Sequence, residues 1–189
     1  MEALLISTPV VAVAEIGDKT QLLALILAAR FRRPVPIILG ILVATLANHA
    51  LAAWLGVIIA SWLGGEILRW LLGLSFLAMA VWMMIPDKIE EEPRLLGNLG
   101  PFLATLVAFF FVEIGDKTQV ATVALAARFD NLLLVTLGTT LGMMLANVPA
   151  VLLGEVAAKK VPLRLVHGLA AAAFAIIGAM ALMGVGSGW

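Results

Sequence analysis

The stretch "AEIGDKTQLLALILAARF", residues 14–31, places Glu15, Asp18 and Lys19 in the middle of a run apolar enough to enter a membrane. A second stretch, "VEIGDKTQVATVALAARF" at 112–129, repeats it 98 residues later with twelve of eighteen positions identical. Ionisable side chains within hydrocarbon are costly, and those that occur there face a protein interior or water and find partners. How the six charges Glu15, Asp18, Lys19, Glu113, Asp116 and Lys117 are accommodated therefore decides the fold.

Composition points the same way. The chain of 189 residues is 63% hydrophobic and 13% charged, against about 45–50% and roughly 25% in soluble domains. Twelve basic and twelve acidic residues cancel, which gives no electrostatic footprint for nucleic acid. There is no cysteine, so disulfides, thiolate metal sites and thiol redox chemistry are excluded. The N-terminal "MEALLISTPVVAVAEIGDKT" lacks a basic leader region, and its apolar run outlasts a signal core, so it reads as a retained first span.

A membrane-spanning helix needs about 20 mostly apolar residues. Six segments qualify: Leu4–Ala29, Val35–Leu63, Ile67–Ile85, Pro101–Ala127, Leu132–Leu153 and Leu165–Val185. The expected fold is an all-α integral membrane protein of six transmembrane helices. Its parts are a first three-helix repeat at 1–86, an acidic linker at 87–100 and a second repeat at 101–189. Of the ten Lys and Arg other than Lys19 and Lys117, eight fall in the first, third and fifth loops. The excess of positive charge places those loops, the acidic linker among them, in the cytoplasm and both termini outside. The run Glu90–Glu92 in that linker reads as solvated polar chain. Three spans per repeat make the second copy enter from the opposite face, the inverted arrangement of many secondary transporters.

On a continuous helix, Glu15, Asp18 and Lys19 share one face by their spacing of three and four, with Gln21 near it. Glu113, Asp116, Lys117 and Gln119 repeat the pattern. If antiparallel repeats bring the faces together, four carboxylates meet, with Thr20, Thr118, Gln21 and Gln119 supplying neutral oxygens. An oxygen-rich, sulfur-free cage suits a hard divalent cation such as Ca²⁺ or Mn²⁺. The expected metal ligands are Glu15, Asp18, Gln21, Glu113, Asp116 and Gln119. Two carboxylates and one Lys per string leave −2 on the ionised site, which one divalent cation neutralises. Clustered carboxylates without a cation bind protons, so cation and proton compete for the same oxygens. Lys19 and Lys117 balance charge. Gly17 and Gly115 allow either close helix approach or a local break.

Asn48 and Asn147 close matching "LAN" triplets in the second and fifth spans. They could add carbonyl ligands or hydrogen-bond between helices. His49 reads as a packed or interhelical histidine rather than a ligand, and His167 as an interfacial one. The Met and Trp residues of "RWLLGLSFLAMAVWMMIP" suit lipid contact and interfacial belts.

The doubled "EIGDKT" in a duplicated six-span chain resembles a cation/proton antiporter family. Its members include the Golgi manganese/calcium transporter of animals and fungi, chloroplast envelope relatives and bacterial manganese exporters. The signature E-x-G-D-[KR]-[ST] is met without departure by Glu15–Thr20 and Glu113–Thr118. The resemblance implies exchange of Mn²⁺, Ca²⁺ or both for protons, with the motif acids as ligands. The compact chain is similar to prokaryotic members at the plasma membrane, which makes Mn²⁺ efflux the expected task. The expected substrates are the divalent ion and protons, with no cofactor beyond the transported ion. The expected surroundings are lipid bilayer, not nucleic acid, and homo-oligomer formation is left open.

Two other classes were weighed. An intramembrane aspartyl protease would use Asp18 and Asp116 as its dyad, since "EIGD" resembles a G-x-G-D string. A Glu and a Lys beside each Asp spoil a two-acid dyad. An exporter of small organic cations or amino acids would find few aromatic residues near the motif and no obvious midspan Arg for a carboxylate.

Overall fold

Helix punctuation in the sequence explains where the elements stop. The computed structural model describes residues 1–85, 99–153 and 163–185, and these form eight helices. They are α1 (Glu2–Glu15), α2 (Lys19–Phe31), α3 (Pro34–Trp62), α4 (Gly65–Met83), α5 (Pro101–Glu113), α6 (Lys117–Phe129), α7 (Leu132–Leu153) and α8 (Leu163–Met183). At "RFRRP", Arg32 turns left-handed with φ 53° and its N–H donates to Ala28 O at 3.0 Å. Pro34 then opens α3, where its missing N–H costs nothing. Helix α6 ends the same way at Asp130, φ 45°, and Pro101 opens α5 as Pro34 opens α3. The acidic linker, with Glu90–Glu92, lies outside the described residues apart from its last two positions.

Four helices, α3, α4, α7 and α8, are long and apolar enough to cross a membrane by length and composition. The expected first and fourth spans are not the single helices Leu4–Ala29 and Pro101–Ala127. Each is broken at its motif into two pieces of 13 or 14 residues. The cause is local: Gly17 and Gly115 adopt φ +85° and +76°, a left-handed conformation that interrupts an α-helix. The shared helical face expected for Glu15, Asp18 and Lys19 is corrected with it, because Glu15 ends one helix and Asp18 begins the next.

Packing crosses between the halves. Helix α1 lies on α7, α5 lies on α3, α4 lies on α8, and α3 also meets α6 and α7. One apolar cluster joins α1, α4, α6 and α8 around the stacked pair Phe76 and Phe174, with ring centroids 6.2 Å apart. Another joins α2, α3 and α5 around Leu27, Ile41 and Phe109. The outer surface is apolar as well: Leu133, Leu137, Leu141 and Leu145 form an exposed row one turn apart on α7. Such a stripe is a liability in water and a fit to hydrocarbon.

Helices crossing this closely need small residues at the contact. A Cβ on Gly142 of α7 would sit 2.5 Å from Thr8 O of α1, and one on Gly40 of α3 would sit 2.9 Å from Phe102 O of α5. In both cases the obstacle is backbone, which cannot turn aside. Gly142→Ala and Gly40→Ala are expected to cost about 1–3 kcal/mol as overpacking, read as a lowered unfolding temperature in detergent. Gly168→Ala, whose Cβ would meet nothing within 4 Å, is expected to leave it unchanged or higher.

Candidate functional site

The site is built from the two helix breaks. After Glu15, the last residue of α1, Ile16 is extended, Gly17 is left-handed, and Asp18 is extended with φ −79° and ψ 168° as the N-cap of α2. Glu113, Ile114, Gly115 and Asp116 follow the same path, Asp116 having φ −77° and ψ 163°. A broken helix leaves backbone groups without partners, and the motif repairs one of them itself. Gln21 Oε1 accepts from Gly17 N–H at 2.9 Å, and Gln119 Oε1 accepts from Gly115 N–H at 2.7 Å. Gln21 Nε2 also donates to Ala146 O of α7 at 3.0 Å. Both amide oxygens proposed as ligands are thus engaged by backbone.

Asp18 and Asp116 stand at the N-termini of α2 and α6, where the helix dipole favours negative charge. Their ion pairs run crosswise. Lys19 Nζ lies 3.3 Å from Asp116 Oδ1, and Lys117 Nζ lies 3.9 Å from Asp18 Oδ1. Each half therefore supplies the counter-ion of the other. The two lysines differ in setting: the Lys19 side chain is 28% exposed, whereas that of Lys117 is 3% exposed. Lys117 also donates to Ile85 O at 3.1 Å.

Glu15, Asp18 and Asp116, all buried, each place a carboxylate oxygen within 4.8 Å of the other two. Opposite ligands of one cation with bonds of about 2.3–2.6 Å are separated by about twice that length, so these three oxygens can share a single ion. Thr20 and Thr118 are fully buried, and their hydroxyls find no hydrogen-bond partner among the described residues. They are the neutral oxygens beside the carboxylates that remain free to turn toward an ion.

Glu113, the fourth acid, is drawn toward α3 instead. Its Oε2 meets Asn48 Nδ2 at 3.4 Å and Thr45 Oγ1 at 3.5 Å, and its Oε1 lies 2.7 Å from His49 Nε2. Asn147 Nδ2 donates to Glu15 Oε1 at 3.2 Å and also contacts Met143. Asn48 and Asn147 thus each reach, across a helix interface, the glutamate of the opposite half. His49 is the interhelical histidine that the sequence suggests, and the side chain it meets across the interface is a motif acid. Its adjacency to Asn48 in a motif-linked triplet was the available signal. His167 is also nearer the motif than its interfacial reading suggested, with Nε2 3.1 Å from where a Cβ on Gly17 would stand.

Comparison with known proteins gives a consistent picture. A family model described as "Divalent cation/proton antiporter GDT1" matches residues 3–91 and again 101–188. A protein of Vibrio cholerae serotype O1, named "Putative manganese exporter", is 56% identical over 178 residues, covering 94% of this chain and 88% of that one. "GDT1-like protein 5" of Arabidopsis thaliana is 28% identical over 208 residues, 90% of each chain. "GDT1-like protein 3" of Oryza sativa subsp. japonica is 28% identical over 192 residues, 87% of this chain and 68% of that one. No solved structure matches the chain.

The two glycines of the breaks provide a test of the geometry. A non-glycine residue in the left-handed region costs about 1–2 kcal/mol, so Gly17→Ala and Gly115→Ala are both expected to lower the unfolding temperature. At Gly17 the added Cβ would also meet Leu163 Cδ2 at 2.6 Å, whereas at Gly115 it meets nothing within 4 Å. Gly17→Ala is expected to be the more damaging of the two in thermal unfolding.

Proposed function

The chain belongs to the divalent cation/proton antiporter GDT1 family, and from that premise we propose that it exports Mn²⁺ from the cytoplasm in exchange for protons, with Ca²⁺ as a second substrate. It is a transporter and not an enzyme, which sets aside the aspartyl protease. Its relation to the Vibrio cholerae protein supports Mn²⁺ as the cargo. In this reading the divalent ion is cargo, and no resident cofactor is needed.

The proposed architecture has six membrane crossings in two inverted three-helix repeats. Helices α1 and α2 together make the first crossing, and α5 and α6 the fourth. Support comes from the repeated break, from the exchange of partners between halves, and from the bias of Lys and Arg among loops. Lys88, Arg94, Lys159 and Lys160, four of the eight residues behind that bias, lie outside the described residues. The bias puts both termini outside and the acidic linker in the cytoplasm, and the likeness to a bacterial manganese exporter supports the plasma membrane as the site. Glu15 is then outward of Asp18, and Glu113 is on the cytoplasmic side of Asp116.

One observation carries the mechanism: three buried carboxylates from both halves converge at the two breaks, with a lysine from each half paired to the aspartate of the other. Glu15, Asp18 and Asp116 take the cation, and Glu113 joins them as a carrier of protons or cation. When the ion enters, carboxylate charge is matched by the metal, and Lys19 and Lys117 release the oxygens they had paired. When it leaves, protons take its place on the same oxygens, so the acids are not left bare in a low-dielectric setting. Occupancy of one set of atoms by either substrate, never both, is what couples the two fluxes.

Proteoliposomes carrying an imposed pH gradient are expected to accumulate Mn²⁺, with Asp18→Asn and Asp116→Asn each reducing uptake to the level of empty vesicles. Undiminished proton-driven uptake in both variants would refute the assignment. Competition also sets the sign of the pH dependence. A proton bound to Glu15, Asp18 or Asp116 removes negative charge and a ligand oxygen, so apparent Mn²⁺ affinity should weaken as pH falls and strengthen as it rises. Binding isotherms across a pH series check this, and an affinity independent of pH would contradict shared oxygens.

A further inference from the structure

The three-carboxylate group leaves one buried cluster of the interior unexplained. On α3, Thr45, Asn48 and His49 are all buried and all face Glu113 of α5. Asn48 and Thr45 hold Oε2 of the glutamate, although at 3.4 and 3.5 Å. The other oxygen, Oε1, faces His49 Nε2 at 2.7 Å, yet no aligned hydrogen bond joins them. His49 Nδ1 also finds no hydrogen-bond partner among the described residues. A fully buried imidazole nitrogen without a partner is expensive, and Nδ1 is in that condition while Nε2 is held by its 2.7 Å ion-pair contact with the Glu113 carboxylate.

The opposite half shows that holding the glutamate does not require a histidine. Glu15 is met by Asn147 at 3.2 Å, and the residue after Asn147 is Val148 where His49 follows Asn48. An asparagine from the facing helix suffices there. The imidazole is an addition peculiar to the first half, and what it adds is a nitrogen donor. Ca²⁺ takes oxygen ligands; Mn²⁺ shares that preference for carboxylate oxygen but, as a first-row transition-metal ion, also belongs to the series that binds mixed nitrogen and oxygen sites.

We propose that His49 and Glu113 form a second cation station, with one nitrogen and one carboxylate oxygen, beside the all-oxygen group of Glu15, Asp18 and Asp116. Through this station the protein favours a transition-metal ion over an alkaline-earth ion. The proposal rests on the reading of the chain as a divalent-cation transporter and adds a selectivity residue to it. In this arrangement the carboxylates alone accept either kind of ion, and His49 discriminates between them.

Mn²⁺ itself is the probe. The full-length protein loaded with a single equivalent of Mn²⁺ is expected to show ¹⁴N modulation from a directly bound imidazole in pulsed electron paramagnetic resonance. His49→Gln should remove that signal, and His167→Gln should keep it. Absence of imidazole modulation in the wild-type protein, or its loss only in His167→Gln, overturns the proposal without dependence on any variant at position 49. In proteoliposomes, His49→Gln is expected to lower the ratio of Mn²⁺ to Ca²⁺ uptake by about 10-fold or more, a scale set by losing a metal-site partner. A ratio unchanged while wild-type exchange proceeds sinks the role of His49 alone. Failure of wild-type vesicles to exchange either ion for protons would instead defeat the transporter reading on which it rests.

Discussion

Buried charge must be matched, and in this protein the match is made between halves. Lys19 pairs with Asp116 and Lys117 with Asp18, so each half supplies a counter-ion to the aspartate of the other. At a helix centre in a bilayer each such residue costs about 2.5–3.5 kcal/mol on insertion scales. The crosswise pairing offsets that cost only when the two halves are together. The same rule selects the helix crossings, because α1 must lie on α7 and α5 on α3 for the breaks to face each other. Close contacts at Gly40 and Gly142 are where the backbone permits it.

The breaks turn this constraint into chemistry. A continuous helix would present its carboxylates as side groups and keep its backbone polar groups to itself. Interrupting it at Gly17 and Gly115 puts an aspartate at each new helix start, where the dipole supports negative charge. It also aims one glutamate from each half at an asparagine of the other. The site is therefore held by two broken helices whose ends are fastened to intact neighbours, α3 and α7.

Much of this was legible in residues 14–31 and 112–129. The duplicated string identified the acids, the pairing of halves and the helical membrane class, because charge in an apolar run has few physical explanations. The break was only one of two readings of Gly17 and Gly115, since a glycine's φ depends on what surrounds it. Treating 15–21 as one helix put Gln21 and Gln119 on the ligand face, whereas their amide oxygens close the backbone of the break. The position of Glu113 was hidden for another reason. Its neighbour His49 belongs to a different helix, and no local pattern links a histidine on α3 to a glutamate on α5. The matching of Asn48 with Asn147 came from the repeat, and the mismatch of His49 with Val148 lay beside it unread.

The glutamine that closes each break has a consequence for how such a protein arises. Gln21 reaches Gly17 and Gln119 reaches Gly115 within their own strings, so acid, turn and backbone repair are encoded in seven consecutive residues. Copying that segment copies a finished half-site, with no need for a second locus to supply the missing donor or acceptor. Where the string occurs twice, the facing helices need supply only the fit between two ready-made edges.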